Sequence, residues 1–154
     1  MTLGVMFFLA LRKHHAEVAK IEKIPNITLT TIEGTEIAIA EPTNTRKKAI
    51  LFFSPDCEFC RKEIEGIISS RDSFQGISWL FITLSSCEEL DLFLTQYSLS
   101  EMNNANICIL KSPEILLALD ITSPPSLFIY GLTGELEHYK RGAVSIKTIL
   151  EWLE

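Results

Sequence analysis

The 154-residue chain has no run of apolar residues long enough to cross a membrane as a helix. Such a helix needs about 20 apolar residues, and the stretch at residues 3–11 falls well short of that. Positive charge is also scarce, since 14 Lys and Arg stand against 20 Asp and Glu and give a net charge of −6. This balance argues against nucleic acid as the main partner, because that affinity depends largely on cations that neutralise phosphates.

Metal-binding residues are few as well. The four cysteines supply a single CxxC pair, Cys57 and Cys60, while Cys87 and Cys108 stand alone. A structural zinc site needs four ligands, usually from a second CxxC or a suitably spaced histidine pair, and the three histidines do not supply one. We therefore predict no metal site, and we expect Cys87 and Cys108 to be buried as small apolar residues. An accessory disulfide between them stays open.

Residues 1–23 form a predicted N-terminal segment in which an apolar stretch turns basic at residues 12–15. In a secretory signal the positive charges precede the apolar stretch, so the order here is a different one. Three interpretations remain: an interfacial membrane anchor, the remnant of a longer membrane segment, or a helix packed on the domain. Among these we favour membrane association.

Residues 24–154 have the length of one domain. Strands that alternate with helices, and that end in a hairpin and a helix, predict an α/β fold with a central mixed sheet flanked by helices. An extra N-terminal helix at residues 1–22 and a β-hairpin at residues 27–39 precede that sheet, and Ser85-Ser86 and Ser112 are predicted helix caps. The other predicted elements are strands at 49–53, 77–84, 106–110, 126–130 and 135–141, and helices at 61–68, 88–97, 112–119 and 145–153.

The CxxC pair lies where a predicted buried strand passes into a helix. Unpaired backbone N–H groups and the helix dipole stabilise a thiolate at such a position, so Cys57 is the predicted attacking thiol. Cys60, one turn further, is predicted to resolve the mixed disulfide. The carboxylates of Asp56 and Glu58 oppose thiolate formation and favour a relatively reducing couple. A purely structural disulfide is disfavoured, because so short a loop removes little entropy from the unfolded chain.

Two consecutive prolines, Pro124 and Pro125, precede the predicted strand 126–130, which favours a cis X–Pro bond there. With the CxxC, they make the chain resemble the thioredoxin superfamily, and more narrowly its membrane-tethered, TlpA-like redoxin branch. The run Pro-Ser-Leu-Phe from Pro125 is similar to the family's Pro-Thr-x-Phe. Residues 24–34, with Ile-Pro-Asn-Ile-Thr-Leu and then Glu-Gly, resemble the Pro-Asp-Phe-x-Leu and Asp-Gly opening of redoxins.

The resemblance implies a thioredoxin-like fold and thiol–disulfide exchange on partner proteins, with the role of a reductase. Pro125 would be the cis-proline that shapes substrate docking, with Phe59 and Pro124 in the groove. The redox-active disulfide would need no further cofactor, and an upstream dithiol protein would supply electrons. The implied role is in cell redox homeostasis, in the bacterial cell envelope on the periplasmic side, with the cytoplasm as the alternative.

Two departures from the family pattern bear on mechanism. Thioredoxin carries a buried Asp six residues before its first cysteine, and Leu51 stands there in this chain. Proton transfer at the second thiol must therefore use water, Glu58 or another group. Pro124 has no backbone N–H, so it keeps only the acceptor that would bind a substrate chain. Weaker or differently registered docking is expected.

Two other functions are alternatives to disulfide exchange. Redoxin-type thiol peroxidases place a threonine three residues before the reactive cysteine, and Ser54 only approximates it. A non-catalytic adaptor that uses the fold as a binding module is disfavoured by the intact cysteine pair.

Overall fold

The computed structural model describes residues 3–43 and 45–154. Seven strands and five α-helices lie in these residues, with short 3₁₀ helices at Arg71–Phe74 and Ser98–Glu101. The strands are β1 Thr28–Thr30, β2 Glu36–Ala38, β3 Lys47–Phe52, β4 Ile77–Thr83, β5 Ala105–Ile109, β6 Ser126–Tyr130 and β7 Leu136–Arg141. The helices are α1 Leu3–Ile21, α2 Glu58–Ser69, α3 Cys87–Gln96, α4 Glu114–Ala118 and α5 Ile146–Leu153.

Five strands form one mixed sheet in the order β5-β4-β3-β6-β7. The first three run parallel, whereas β6 is antiparallel to β3 and β7 is antiparallel to β6. Strands β1 and β2 form a separate antiparallel hairpin, and Lys48 Nζ ties it to the sheet by donating to the Ile39 carbonyl at 2.7 Å. The prediction of an α/β fold with a mixed sheet, a preceding hairpin and an extra N-terminal helix is confirmed.

The sheet is buried on both faces, because successive side chains of a strand point to opposite sides. In and just after β3, Leu51 and Phe53 pack in one core with residues of α2, α3 and α5. Ile50 and Phe52 pack in the other core, under α4 and the hairpin. The continuous apolar run that predicted this strand reflects its double burial.

Helix starts follow the predicted caps in one case and not in the other. The Ser86 hydroxyl accepts a hydrogen bond from the Glu89 N–H, and the Glu89 carboxylate accepts one from the Ser86 N–H, which is a capping box at the start of α3. The predicted cap at Ser112 is wrong. Helix α4 starts one residue later than a Ser112 cap requires, so Pro113 is the residue before it, without a side-chain cap.

Helix α1 leaves most of its length in solvent, since residues 3–15 are exposed. Its last residue, Ile21, is fully buried and its carbonyl accepts a hydrogen bond from the Tyr130 hydroxyl at 3.0 Å. Within residues 3–43 and 45–154, no helix combines the length and apolar character needed to cross a membrane. The division of the chain at residue 23 stays a prediction.

Candidate active site

Cys57 is the N-cap residue of α2, at the end of the sheet where β3 finishes. Its backbone N–H donates to the Ser54 carbonyl at 3.1 Å, and its Sγ accepts from the N–H of Cys60 at 3.2 Å. The sulfur thus takes the place of the oxygen of a normal N-cap residue. This is the geometry in which a helix N-terminus stabilises a thiolate.

The two thiols have different surroundings. Cys57 is half-buried, whereas Cys60 is completely buried in the core beneath it. Burial raises the pKa of the Cys60 thiol to about 12, and the hydrogen bond with Cys57 adds to the effect. Cys60 therefore keeps its proton at neutral pH, and Cys57 is the more accessible thiol of the pair.

Glu63, which was not predicted as a site residue, is buried one turn after Cys60. Only 4% of the residue is exposed, and among the described residues neither carboxylate oxygen has a hydrogen-bond partner. Burial raises the pKa of Glu63 to about 7, against a smaller opposing effect from the backbone of Val144. The Glu63 charge in turn raises the pKa of Cys60. The sequence signal was a carboxylate on the Cys60–Ile64–Ile67 face of α2, which is otherwise apolar.

A groove of about 290 Å³ lies beside this buried carboxylate. It is lined by Phe59, Lys62, Glu63 and the residues from Ala143 to Ile146. Phe59 is 65% exposed although it is a large apolar residue. The groove is therefore bordered both by an exposed aromatic ring two positions after Cys57 in the sequence and by the buried Glu63 carboxyl group.

The two predicted tuning carboxylates are both exposed. Glu58 forms an ion pair with Lys62, with 2.9 Å between Glu58 Oε1 and Lys62 Nζ. The hydrogen bond from Lys62 lowers the pKa of Glu58. Asp56 has no such neighbour among the ion pairs of the described residues. Tuning by Asp56 and Glu58 stays a prediction.

Arg61 is a second residue that sequence reasoning missed. Its Nη1 donates to the Pro55 carbonyl at 2.8 Å, which fastens the loop before Cys57 to the first turn of α2. The only signal for Arg61 in the sequence was its position directly after Cys60.

The proline loop lies at the same end of the sheet as the CxxC, because Ser126 at the start of β6 pairs with Phe52 at the end of β3. The peptide bond between Pro124 and Pro125 is cis. Pro125 is buried and Pro124 is half-buried, and the Pro125 carbonyl accepts from the Gly142 N–H at 2.8 Å. The docking roles of Phe59, Pro124 and Pro125 stay predictions. The three residues lie at the same end of the molecule.

Of the two predictions for the isolated cysteines, one is confirmed and one is wrong. Cys108 is fully buried in β5, as predicted. The prediction that Cys87 is buried is wrong, because it is the first residue of α3 and is exposed. Leu51, at the position of thioredoxin's buried Asp, is completely buried in β3. All four thiols are free, and the described residues contain no group of three or more His, Cys, Asp or Glu that can hold a metal ion.

Comparisons with known proteins agree with this fold. No protein-family model matches the sequence. The chain is 24% identical over 128 residues to sporulation thiol-disulfide oxidoreductase A of Bacillus subtilis, covering 82% of this chain and 76% of that protein. The crystal structure of StoA from B. subtilis superposes with a TM-score of 0.66 at 22% identity, covering 84% of this chain and 100% of that one.

Two further solved structures share the fold at lower identity. A secreted disulfide oxidoreductase of Mycobacterium tuberculosis, homologous to E. coli DsbE, has a TM-score of 0.70 at 17% identity and covers 83% of this chain and 94% of its own. An exposed lipoprotein thioredoxin of Streptococcus pneumoniae has a TM-score of 0.65 at 16% identity and covers 84% and 98% of the two chains.

Proposed function

We propose that this chain is a redoxin-type thiol–disulfide oxidoreductase of the thioredoxin superfamily and that it reduces disulfides in partner proteins through Cys57 and Cys60. The observation that carries the proposal is the asymmetry of the pair. Cys57 is accessible at a helix N-terminus, and Cys60 is buried directly behind it. An attacking thiol and a resolving thiol need these two environments.

The exchange balances without any further redox group. The Cys57 thiolate attacks a substrate disulfide, a bond forms between Cys57 and one substrate sulfur, and the other sulfur leaves as a thiolate that takes up a proton. Cys60 then loses its proton and attacks Cys57 Sγ. The Cys57–Cys60 disulfide forms, the second substrate thiol is released, and two electrons have passed to the substrate. An upstream dithiol protein regenerates the reduced pair.

The second step requires a base, because a thiol with a pKa of about 12 is almost entirely protonated at neutral pH. Glu63 is buried one turn from Cys60 and has a pKa of about 7, so it can hold either a carboxylate or a proton under these conditions. We assign to Glu63 the role of accepting the Cys60 proton. In thioredoxin the buried Asp has this role, and Leu51 at the matching position cannot accept a proton. A proton acceptor works best when its pKa lies near the operating pH.

Substrate docking is assigned to the surface around Cys57. Phe59 offers an exposed ring, and Pro124 and Pro125 lie at the same end of the sheet as the CxxC. Because Pro124 cannot donate a hydrogen bond, a docked substrate chain would use its carbonyl oxygen only.

We place this activity in the bacterial cell envelope, on the periplasmic side, with residues 1–23 associated with the membrane. Two of the structural neighbours are described as secreted and as an exposed lipoprotein, and the exposed apolar half of α1 supports attachment. Proteins with disulfides are the substrates that such a compartment supplies. The cytoplasm is the alternative location.

The test is insulin reduction by the full chain with its Cys57→Ser and Cys60→Ser variants, together with the reduction potential of the pair. Cys57→Ser should abolish activity, and Cys60→Ser should stop after one step as a trapped mixed disulfide. A potential near that of a strong oxidant, about −120 mV, would contradict the reductase assignment. Peroxide consumption by Cys60→Ser would favour a thiol peroxidase instead, and partner binding without any exchange would favour an adaptor.

A further inference from the structure

The first half of α1 presents apolar side chains to solvent on every side of the helix. The exposed large apolar residues are Leu3, Val5, Met6, Phe7, Phe8, Leu9 and Leu11. Five consecutive positions, 5–9, are apolar, and at 3.6 residues per turn they go once round the helix. A groove on a protein would cover one face and leave the others in water, whereas the acyl region of a lipid leaflet covers all of them.

A cluster of basic residues follows this apolar stretch directly. Arg12, Lys13, His14 and His15 are exposed, and residues 3–15 contain no Asp or Glu although the whole chain is acidic. The nine residues 3–11 rise about 14 Å as a helix, which is about half of a hydrocarbon core of about 30 Å. When the apolar stretch enters one leaflet, the cations therefore lie at the level of the lipid phosphates.

The junction between α1 and the rest of the protein contains no free linker. The Tyr130 hydroxyl donates to the carbonyl of the buried Ile21 at 3.0 Å. The Leu136 N–H donates to the carbonyl of the next residue, Glu22, at 2.8 Å. The chain thus passes from α1 straight onto the β6–β7 turn and is held there by the ends of both strands.

This junction lies at the end of the sheet opposite the CxxC. Tyr130 pairs across the sheet with Lys48 at the start of β3, whereas Phe52 at the end of β3 leads to Cys57. The six residues of β3 separate the two ends by about 17 Å at a strand rise of about 3.3 Å per residue.

We propose that α1 binds an anionic lipid surface and that its linker-free junction holds the Cys57 end of the sheet away from that surface. The inference rests on the membrane association proposed above and adds the lipid charge and the orientation. Substrates would then approach from the aqueous side, and the β6–β7 turn would be the part of the sheet nearest to the lipid.

The first test is binding of the full chain to vesicles of phosphatidylcholine, with and without phosphatidylglycerol as a minor anionic lipid. Binding should require the anionic lipid, and Arg12→Gln and Lys13→Gln should each weaken it about five-fold. Lys140→Gln, which removes an exposed cation from β7, should leave binding unchanged. Equal binding to neutral vesicles would overturn the proposal. So would a stable dimer in buffer that Phe7→Ser with Phe8→Ser abolishes, because a second copy would then cover the helix.

The second test compares the two ends of the sheet on bound vesicles by energy transfer to an acceptor on the lipid headgroups. One protein carries the donor on Cys57 in a Cys87→Ser background, and the other carries it at the exposed position of Thr133→Cys in a Cys57→Ser, Cys87→Ser background. Transfer should be stronger from position 133. Equal or stronger transfer from Cys57 would overturn the orientation.

Insulin reduction by the unlabelled chain in solution separates this inference from the proposed function. An active protein that fails either vesicle test would overturn the inference alone. A protein that binds vesicles as described but cannot exchange disulfides would contradict the proposed function and leave the lipid-binding role of α1 unaffected.

Discussion

At the scale of single residues, the proposed mechanism uses a carboxyl group, that of Glu63, which the sequence did not single out. The CxxC and its strand-to-helix position were readable from the sequence, whereas the order of attack stays a prediction. Glu63 was not, because its chemistry comes from burial without a partner, and a Glu on a helix is ordinarily a solvated residue. Cys87 is the opposite case, because it was predicted to be buried and is exposed. Its exposure depends on the residue at which α3 begins.

Glu63→Gln should change the pH dependence of stability. The folded-state pKa of about 7 lies above the usual value of 4.5, so ionisation costs free energy in the folded state only. The free energy of unfolding of the wild-type protein should therefore fall as the pH rises from about 4.5 to about 7, by up to about 3 kcal/mol. The Gln variant should lack this fall. Urea unfolding of the reduced protein across this range measures it.

Glu65→Gln is the matched control, because Glu65 is an exposed carboxylate on the same helix. It should leave the wild-type pH dependence unchanged. Glu63→Gln should also slow the release of a substrate from the Cys57 mixed disulfide while leaving formation of that disulfide unchanged. If both steps slow equally, Glu63 has a structural role and does not serve as the proton acceptor for Cys60.

At the scale of the elements, strands were predicted better than helix ends. Residues 49–53 and 77–84 were readable because strands buried on both faces are continuous apolar runs. The start of α4 was not, because both Ser112 and Pro113 are residues typical of helix N-termini and the choice depends on packing. The two 3₁₀ helices have no hydrophobic period by which they can be recognised.

Helix α2, which carries both cysteines, packs closely on α5 at Gly66. A Cβ at this position would lie 2.6 Å from Ile146 Cγ1 and 2.9 Å from Cδ1. Overpacking of this kind costs about 1–3 kcal/mol, which exceeds the gain of at most about 1 kcal/mol from the helix propensity of Ala. Gly66→Ala should therefore destabilise the protein in chemical unfolding.

A double-mutant cycle isolates that contact. In an Ile146→Ala background the clash is gone, so Gly66→Ala should become neutral or stabilising. Gly76→Ala is the control, because a Cβ there meets nothing within 4 Å, and it should have little effect in either background. The same loss from Gly66→Ala in both backgrounds would mean that the α2–α5 contact is not its cause.

At the scale of the whole molecule, two cores share one sheet and leave the start of the chain outside. Every central strand contributes to both cores, so the part from Ile21 onward should unfold as one cooperative unit. The acidic composition argued against nucleic acid as the main partner but said nothing about where charge lies. The structure places the basic cluster 12–15 on the exposed part of α1, whereas acidic residues lie in the first turn of α3.

Because residues 3–15 make no part of either core, the double substitution Phe7→Ser with Phe8→Ser should leave the melting temperature in buffer unchanged. Ile21→Ala removes a completely buried side chain and should cost about 2–5 kcal/mol. For a chain of this size that lowers the melting temperature by about 5–15 °C. Thermal unfolding followed by circular dichroism measures both. A comparable drop in the Phe variant would mean that the apolar half of α1 packs on the domain, which would also remove the surface assigned to lipid.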